Sequence, residues 1–194
     1  MGLEMTSIVT MKPYRDNIEF MKTIYFAAAS LDGFIADKND SLEWLFKNGP
    51  TDITFIDQFL ETVGAIAMGS TTYQWLLDNT KGPWPYKAPC IVFTHRNLQV
   101  LEGADVRFTK GDVSSQHEEL RKLAGEKNIW LMGGGDLVGQ FYDHNLVDEM
   151  HIQTIAVFLN EGKKLFSRRT DDAFKIQEIR QRGKTCVEVI YLVR

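Results

Sequence analysis

The chain has 194 residues and only two cysteines, Cys90 and Cys186. Both lie in strand-like runs far apart in sequence. The expectation is therefore two buried, reduced thiols in a cytoplasmic protein, with no disulfide framework. Its four histidines, His95, His117, His144 and His151, are too scattered for a metal-site signature, so no metal is expected. A zinc deaminase would need Pro-Cys-x-x-Cys. Pro89-Cys90 occurs, but position 93 is Phe and no His-x-Glu precedes it. Gly-x-Ser-x-Gly is missing, which sets the hydrolase elbow aside. No apolar run approaches a membrane span, and the first residues lack the charged-then-apolar signature of a signal peptide. There is no block of like charge. A net charge of −4 and a pI of about 5.6 offer no surface for nucleic acid or an anionic membrane.

Hydrophobic residues are plentiful at 44%, with 12 Phe and 4 Trp, enough for a substantial core. One domain is expected over residues 21–194. Residues 1–20 are mixed and without periodicity, and read as an N-terminal extension, disordered or vector-derived. From Met21-Lys22 the pattern sharpens.

Thr23 to Ala29 reads as a buried strand, and a polar loop follows through Asp37-Lys38-Asn39-Asp40. Residues 51–62 read as a helix, capped by Thr51 or Asp52, with Ile53, Ile56, Phe59 and Leu60 on one face. Ala65 to Gly69 is a second buried strand. Ser70, Thr71 and Thr72 offer hydroxyl caps to a helix that turns Tyr73, Leu76 and Leu77 inward. Residues 79–89 are turn-rich. Cys90 to Phe93 is a strand, Val106 and Phe108 suggest another, and Val113 to Ala124 is a helix. Ile129 to Met132 is a strand, after which Leu137, Val138, Phe141 and Tyr142 fall at helical spacing. Asp148 to Ala156, Phe174 to Ile179 and Thr185 to Val193 then read as strands. Strand–helix alternation followed by consecutive strands predicts a three-layer α/β fold. Its central sheet is mostly parallel, with antiparallel C-terminal strands at one edge.

The most informative stretch is Ile129 to Val138, where an apolar run ends in Gly133-Gly134-Gly135 and an amphipathic segment begins at once. Three residues without a Cβ either make a tight turn or leave bare backbone at a helix N-terminus. Bare N–H groups there attract phosphate. The dinucleotide fingerprint G-x-G-x-x-G fails because position 138 is Val, and no Gly-Lys-Ser/Thr follows. Ligands of such sheets bind beyond the C-terminal strand ends. Three junctions fall there: Gly69 to Thr72, Thr94-His95-Arg96 and Gly133 to Gly135.

These junctions, with Phe26 to Ala36, Met68 to Tyr73 and Leu131 to Leu137, resemble the dihydrofolate reductase-like superfamily. The nearer branch holds the reductase domain of the riboflavin-biosynthesis deaminase-reductase. The resemblance covers about residues 22–193, including Leu146-Val147-Asp148-Glu149. It implies an oxidoreductase, an NADPH-dependent reductase that delivers hydride to a C=N bond of a small heterocycle or ribosylaminopyrimidine. By position, the backbone at Ala28 and Ile35 would hold the nicotinamide carboxamide. Gly69, Ser70, Thr71 and Thr72 would wrap the pyrophosphate together with Gly133, Gly134, Gly135, Asp136, Leu137 and Val138. Thr94, His95 and Arg96 would meet the adenosine 2′-phosphate, for which Arg96 offers a planar fork of donors. It also implies a homodimer.

Two positions depart from the family pattern. Ser70 stands where many relatives carry Arg, and Asp136 follows the glycines where dihydrofolate reductases carry a basic residue, so NADH is the alternative cofactor. The helical acid that serves dihydrofolate reduction has no counterpart near Glu43-Trp44-Leu45. Asp32, in Ser-Leu-Asp-Gly after the first strand, is the candidate catalytic and substrate-binding carboxylate. It is equally placed to make a local turn before Gly33. Trp44 is a candidate floor for a flat heterocycle, or a core residue. Lys163, Lys164, Arg168 and Arg169 are candidates for a substrate phosphate, or a charged surface loop. A non-catalytic nucleotide-binding protein of the same fold is the alternative function.

Overall fold

The structure, a computed structural model, describes residues 21–194. The expected N-terminal extension lies outside the described residues. The elements run β1 (Thr23–Ser30), β2 (Phe34–Ala36), α1 (Glu43–Asn48), α2 (Thr54–Thr62), β3 (Val63–Gly69), α3 (Ser70–Asn79), β4 (Cys90–Phe93) and β5 (Val106–Thr109). They continue with α4 (Val113–Ala124), β6 (Asn128–Gly133), α5 (Gly135–Asp143), β7 (Glu149–Ile155), β8 (Lys163–Lys164), β9 (Lys175–Gln181) and β10 (Cys186–Leu192).

Eight strands form one sheet in the order β5-β4-β3-β6-β1-β7-β10-β9. The six from β5 across to β7 are mutually parallel, whereas β10 and β9 add antiparallel at the edge. The central strands are buried on both faces, which is why they read as unbroken apolar runs. Ala65, Ala67, Ile129 and Leu131 join one core with Leu120, Leu137 and Phe141 of α4 and α5. Ile66, Met68 and Trp130 join the other with Tyr73 and Leu76 of α3, against which Phe59 and Leu60 of α2 pack. The three-layer α/β architecture is thus as expected.

The antiparallel edge is the β9–β10 pair, while β7 runs parallel to β1. Several details differ. α2 begins at Thr54, and Asp52 Oδ1 accepts from the Thr54 N–H at 3.0 Å and from its hydroxyl at 2.8 Å. Ile53 precedes the helix and is exposed, and Phe55 takes the buried position. Ser70, Thr71 and Thr72 do not cap α3. Gly69 holds the extended N-cap position, so the hydroxyls sit inside the first turn. Two elements escaped the sequence reading: α1, which buries none of its residues, and the small β2–β8 sheet.

The antiparallel edge is joined by charge. Glu188 on β10 is almost wholly buried and accepts from Gln153 Nε2 at 3.0 Å, Arg180 Nη1 at 3.3 Å and Arg182 Nη2 at 3.0 Å. Glu149 on β7 accepts from Lys22 Nζ at 2.7 Å and pairs with His151 Nε2 at 2.8 Å. Burial pushes both carboxyls up. The hydrogen bonds and neighbouring charges outweigh it, and both rest below the ordinary glutamate value. Buried charge survives only with such pairing.

Two outcomes follow. A folded-state carboxyl pKa below the unfolded one contributes stability above the unfolded pKa, and that stability fades as pH falls through the folded one. Urea midpoints should therefore drop from about pH 7 to about pH 4, and in Glu188→Gln the drop should be smaller from a lower starting stability. Separately, a Cβ on Gly135 would lie 2.5 Å from Lys164 O and 2.6 Å from Leu165 O. Gly135→Ala should cost about 1–3 kcal/mol by overpacking, a Tm fall of several degrees in a thermal melt.

Candidate functional site

β4, β3, β6 and β1 are sheet neighbours and end side by side. Gly69 is level with Phe93, and Met68 with Gly133. A Cβ built on Gly69 would meet nothing nearer than Gly133 O at 3.8 Å and Gly134 N at 3.9 Å, and one on Gly134 would meet only Ile35 Cδ1 at 3.8 Å. Ile35, Gly69 and the Gly133–Gly134 backbone, which is joined by a cis peptide, therefore border one opening. Gly133 holds φ +126°, a conformation that suits glycine.

α3 and α5 both start at this opening, and neither has a side-chain cap. The first N–H groups of a helix have no acceptor within it. Those of Ser70 to Thr72 and of Gly135 to Leu137 are thus free for an anion, at two positive helix ends. Val138 leaves the expected set, because its N–H donates to Gly134 O at 3.2 Å and its side chain is buried. Gly135 brings its N–H, but the space beside its Cα belongs to the β8 backbone. Asp136 is exposed and shares Arg168 with Asp143, at 3.3 Å and 2.7 Å, so its charge is offset in part.

Thr94 is buried and its Oγ1 accepts from Arg96 N at 2.9 Å, which fixes the turn after β4. Arg96 Nη2 donates to Gln74 Oε1 on α3 at 3.1 Å. Thr94 and Arg96 line a cavity of about 190 Å³ with Asn97, Phe108, Thr109 and Lys110. His95 is exposed beside it and lines nothing there. Lys110, at the end of β5, was missed because nothing near it in sequence marks a site.

Asp32 is the main revision. Its Oδ1 accepts from the Ser30 hydroxyl at 2.6 Å and from Leu159 N at 3.1 Å, and its Oδ2 accepts from Asn160 N at 2.7 Å. The Ser30 hydroxyl and these N–H groups outweigh desolvation and hold its carboxyl below the ordinary aspartate value. Such a carboxylate clamps the β1–β2 turn to the segment after β7 and holds no proton to give. Trp44 sits on α1, outside the main cleft, and its indole N–H is buried without an acceptor among the described residues. α1 reaches from Trp75 of α3, 6.1 Å from Phe46, to Thr185, whose hydroxyl donates to Asn48 O at 2.6 Å.

A cleft of about 480 Å³ lies between α2 and one face of β1, β7 and β10. Phe26 stacks on Phe59 at 4.4 Å, and the Arg182 guanidinium lies 4.4 Å over Phe55. Lys22, Ile24, Glu149, His151, Arg180 and Glu188 also line it. Strand alternation puts Ala28 on the same face as Ile24 and Phe26, and its register partner is Gln153. Ala28 is thus the next same-face residue of β1 beyond the cleft, toward the strand's C-terminal end. Among the described residues, no group of three His, Cys, Asp or Glu could hold a metal ion, and no helix is long and apolar enough to cross a membrane.

The sequence profile of the RibD C-terminal domain matches residues 21–187. Two uncharacterised Bacillus subtilis (strain 168) proteins are similar. YwjB is 33% identical over 153 residues, covering 78% of this chain and 86% of its own; YyaP is 30% identical over 162 residues, covering 78% and 83%. A solved protein from Shewanella sp. PV-4, named for riboflavin biosynthesis, superposes with TM-score 0.77 at 28% identity over 89% of this chain and 98% of that one. Acinetobacter baumannii RibD superposes at 0.65 with 12% identity over 89% of this chain and 58% of that one, a likeness of fold. The matched profile spans the glycine opening and the cleft alike, and the chain belongs to the RibD C-terminal domain family, with its reductase-type riboflavin-biosynthesis fold.

Proposed function

We propose that the protein is an NADPH-dependent reductase that transfers hydride to a C=N bond of a small heterocycle. The observation that carries this reading is the opening at Gly69, Gly133 and Gly134, where two uncapped helices begin on adjacent strands. The family uses NADPH, and the residues here fit it. The N–H groups of Ser70 to Thr72 and Gly135 to Leu137 take the pyrophosphate. Thr94 and Arg96, joined by Lys110, take the 2′-phosphate. The backbone at Ala28 and Ile35 takes the carboxamide, and the cleft under α2 takes the heterocycle. The bound cofactor supplies the hydride, and the protein orients it and keeps water out.

In the loop after β7, Lys163 faces Asp40 at 3.6 Å, Arg168 is held by Asp143 at 2.7 Å and Arg169 by Asp171 at 2.9 Å, while Lys164 is exposed with no ion pair among the described residues. The proposal covers a heterocycle with or without a ribosyl phosphate, for which Lys164 is the available cation. The reading includes a cytoplasmic homodimer. β9 is an open sheet edge with Ile176 and Ile179 exposed, which a second copy would cover.

Titration of the purified chain with NADPH and NADH, followed by tryptophan fluorescence, tests this. NADPH should bind in the micromolar range. Arg96→Ala should weaken NADPH about tenfold, the worth of one charge-assisted contact, and leave NADH unchanged. Binding of neither dinucleotide sinks the reading. Tight binding with no oxidation by any pterin or aminopyrimidine favours the non-catalytic alternative.

Gly69→Ser makes a sharper test. Serine is a good N-cap, so Tm should hold or rise by about a degree. Its hydroxyl would occupy the opening and take a helix N–H, so both dinucleotides should bind about tenfold more weakly.

A further inference from the structure

Reduction of C=N needs a proton as well as a hydride, and neither the first helix nor Asp32 offers one. We propose that His151, oriented by the buried Glu149 carboxylate, is the proton donor to the nitrogen of the reduced bond. This rests on the reductase reading above.

Of the titratable groups lining the cleft, Lys22 Nζ is committed to Glu149, Lys127 Nζ donates to Glu61 O and Glu126 is exposed; among the others one candidate stands out. Glu188 spends its oxygens on Gln153, Arg180 and Arg182, and Glu149 on Lys22 and His151. Both are held ionised, so they accept and do not donate. Arginine keeps its proton at any working pH. The other histidines are elsewhere: His117 is buried against the Thr23 hydroxyl at 2.8 Å, His144 faces Ser114 at 3.0 Å, and His95 is exposed outside the cleft.

His151 has the shape of an oriented acid. Its Nε2 meets Glu149 Oε2 at 2.8 Å, and Lys22 secures the other oxygen at 2.7 Å. Its Nδ1 has no hydrogen-bond partner among the described residues. The ring lies edge-on to Phe26 at 6.3 Å and tilted to Phe59 at 6.2 Å, with its side chain only 13% exposed. Its register partner is Phe26, one same-face step from Ala28. That step is about 6.6 Å along β1, and His151 lies on the neighbouring strand.

The remaining charges around His151 are Arg180 and Glu178 of β9, Glu188 of β10, and Glu126 and Lys127 at the cleft wall. α2 brings the neutral Gln58 and Phe59. The hydrogen bond between Nε2 and the Glu149 carboxylate fixes the ring and leaves Nδ1 for a substrate.

The step balances. The C=N π bond breaks and its electron pair goes to nitrogen, which takes the Nδ1 proton. The carbon receives the hydride, whose two electrons come from the reduced nicotinamide. Neutral His151 regains its proton from water at the cleft mouth.

The test uses the full chain saturated with NADP⁺, with pterin as probe. Tryptophan quenching reads pterin affinity, and ¹H–¹³C signals of labelled histidine rings read His151, across about pH 5.5 to 7.5. Pterin should shift the His151 ring signal, identified by its loss in His151→Gln. Its affinity should change about threefold or more across that pH range. In His151→Gln, and in His151→Phe, which keeps the ring packing, pterin should bind with a flat pH profile. In Glu149→Gln the ring has lost the carboxylate that orients it, so the pterin-induced shift of the His151 signal should shrink. Pterin that does not bind, leaves the His151 signal unmoved, or keeps the wild-type profile in His151→Gln overturns the proposal and leaves the reductase reading standing on NADP⁺ binding. Failure of NADP⁺ to bind overturns both.

Discussion

Two helices begin on adjacent parallel strands at residues without a Cβ, and the functional geometry depends on that junction. The missing Cβ is used twice, for different ends. At Gly135 the space is filled by the β8 backbone, so the glycine lets the loop after β7 close against α5. At Gly69 and Gly134 the space stays open. A side chain at the first would push the fold apart. A side chain at the second would close the opening while the fold stood. The two demands meet within a few residues because β3 and β6 are neighbours and end at the same level.

The second constraint is electrostatic. The sheet face under α2 carries Glu149, His151, Gln153 and Glu188 where β3, β4 and β6 carry mostly apolar side chains. Taking charge out of water is costly, and well-packed apolar residues would serve stability as well or better. The arrangement makes more sense as a surface kept polar beneath an aromatic roof. Phe55, Phe59 and Phe26 provide flat walls, and the paired charges provide fixed donors and acceptors. Such a combination orients a heterocycle and spares the site a reorganisation of water.

How far the sequence discloses this depends on whether a signal is local. β3, β4 and β6 are legible because a strand buried on both faces is apolar throughout. The glycine junction is legible because Gly133 to Gly135 stand together between strand and helix. α1 is not, since none of its six residues is buried and no periodic face exists to read. Asp32 illustrates the limit well. Asp before Gly suits both a turn and a site, and its deciding partners, Leu159 and Asn160, are brought in only by the fold. The cleft is hidden for the same reason. His151 and Gln153 alternate along β7 like solvent-facing residues of a half-exposed strand. Only the pairing of β7 with β10, which sets Glu188 opposite Gln153, turns them inward under α2.

Charge explains why Ser70 and Asp136 need not count against a phosphorylated cofactor. What a phosphate requires is net positive potential at a place, not a given residue at a given position. The Asp136 carboxylate projects from α5 toward Arg168, which offsets it only in part because it also binds Asp143; Asp136 is exposed, and solvent screens the remainder. Ser70 brings no cation, but the turn after β4 brings Arg96 and the end of β5 brings Lys110, both on the cavity that Thr94 borders. β4 and β5 are parallel neighbours in register, so the two cations arrive at one place from strands that are separate in sequence. A comparison position by position registers two losses. The folded arrangement restores the charge one strand further out, where the adenosine end of a dinucleotide extended across β1, β6, β3 and β4 would lie.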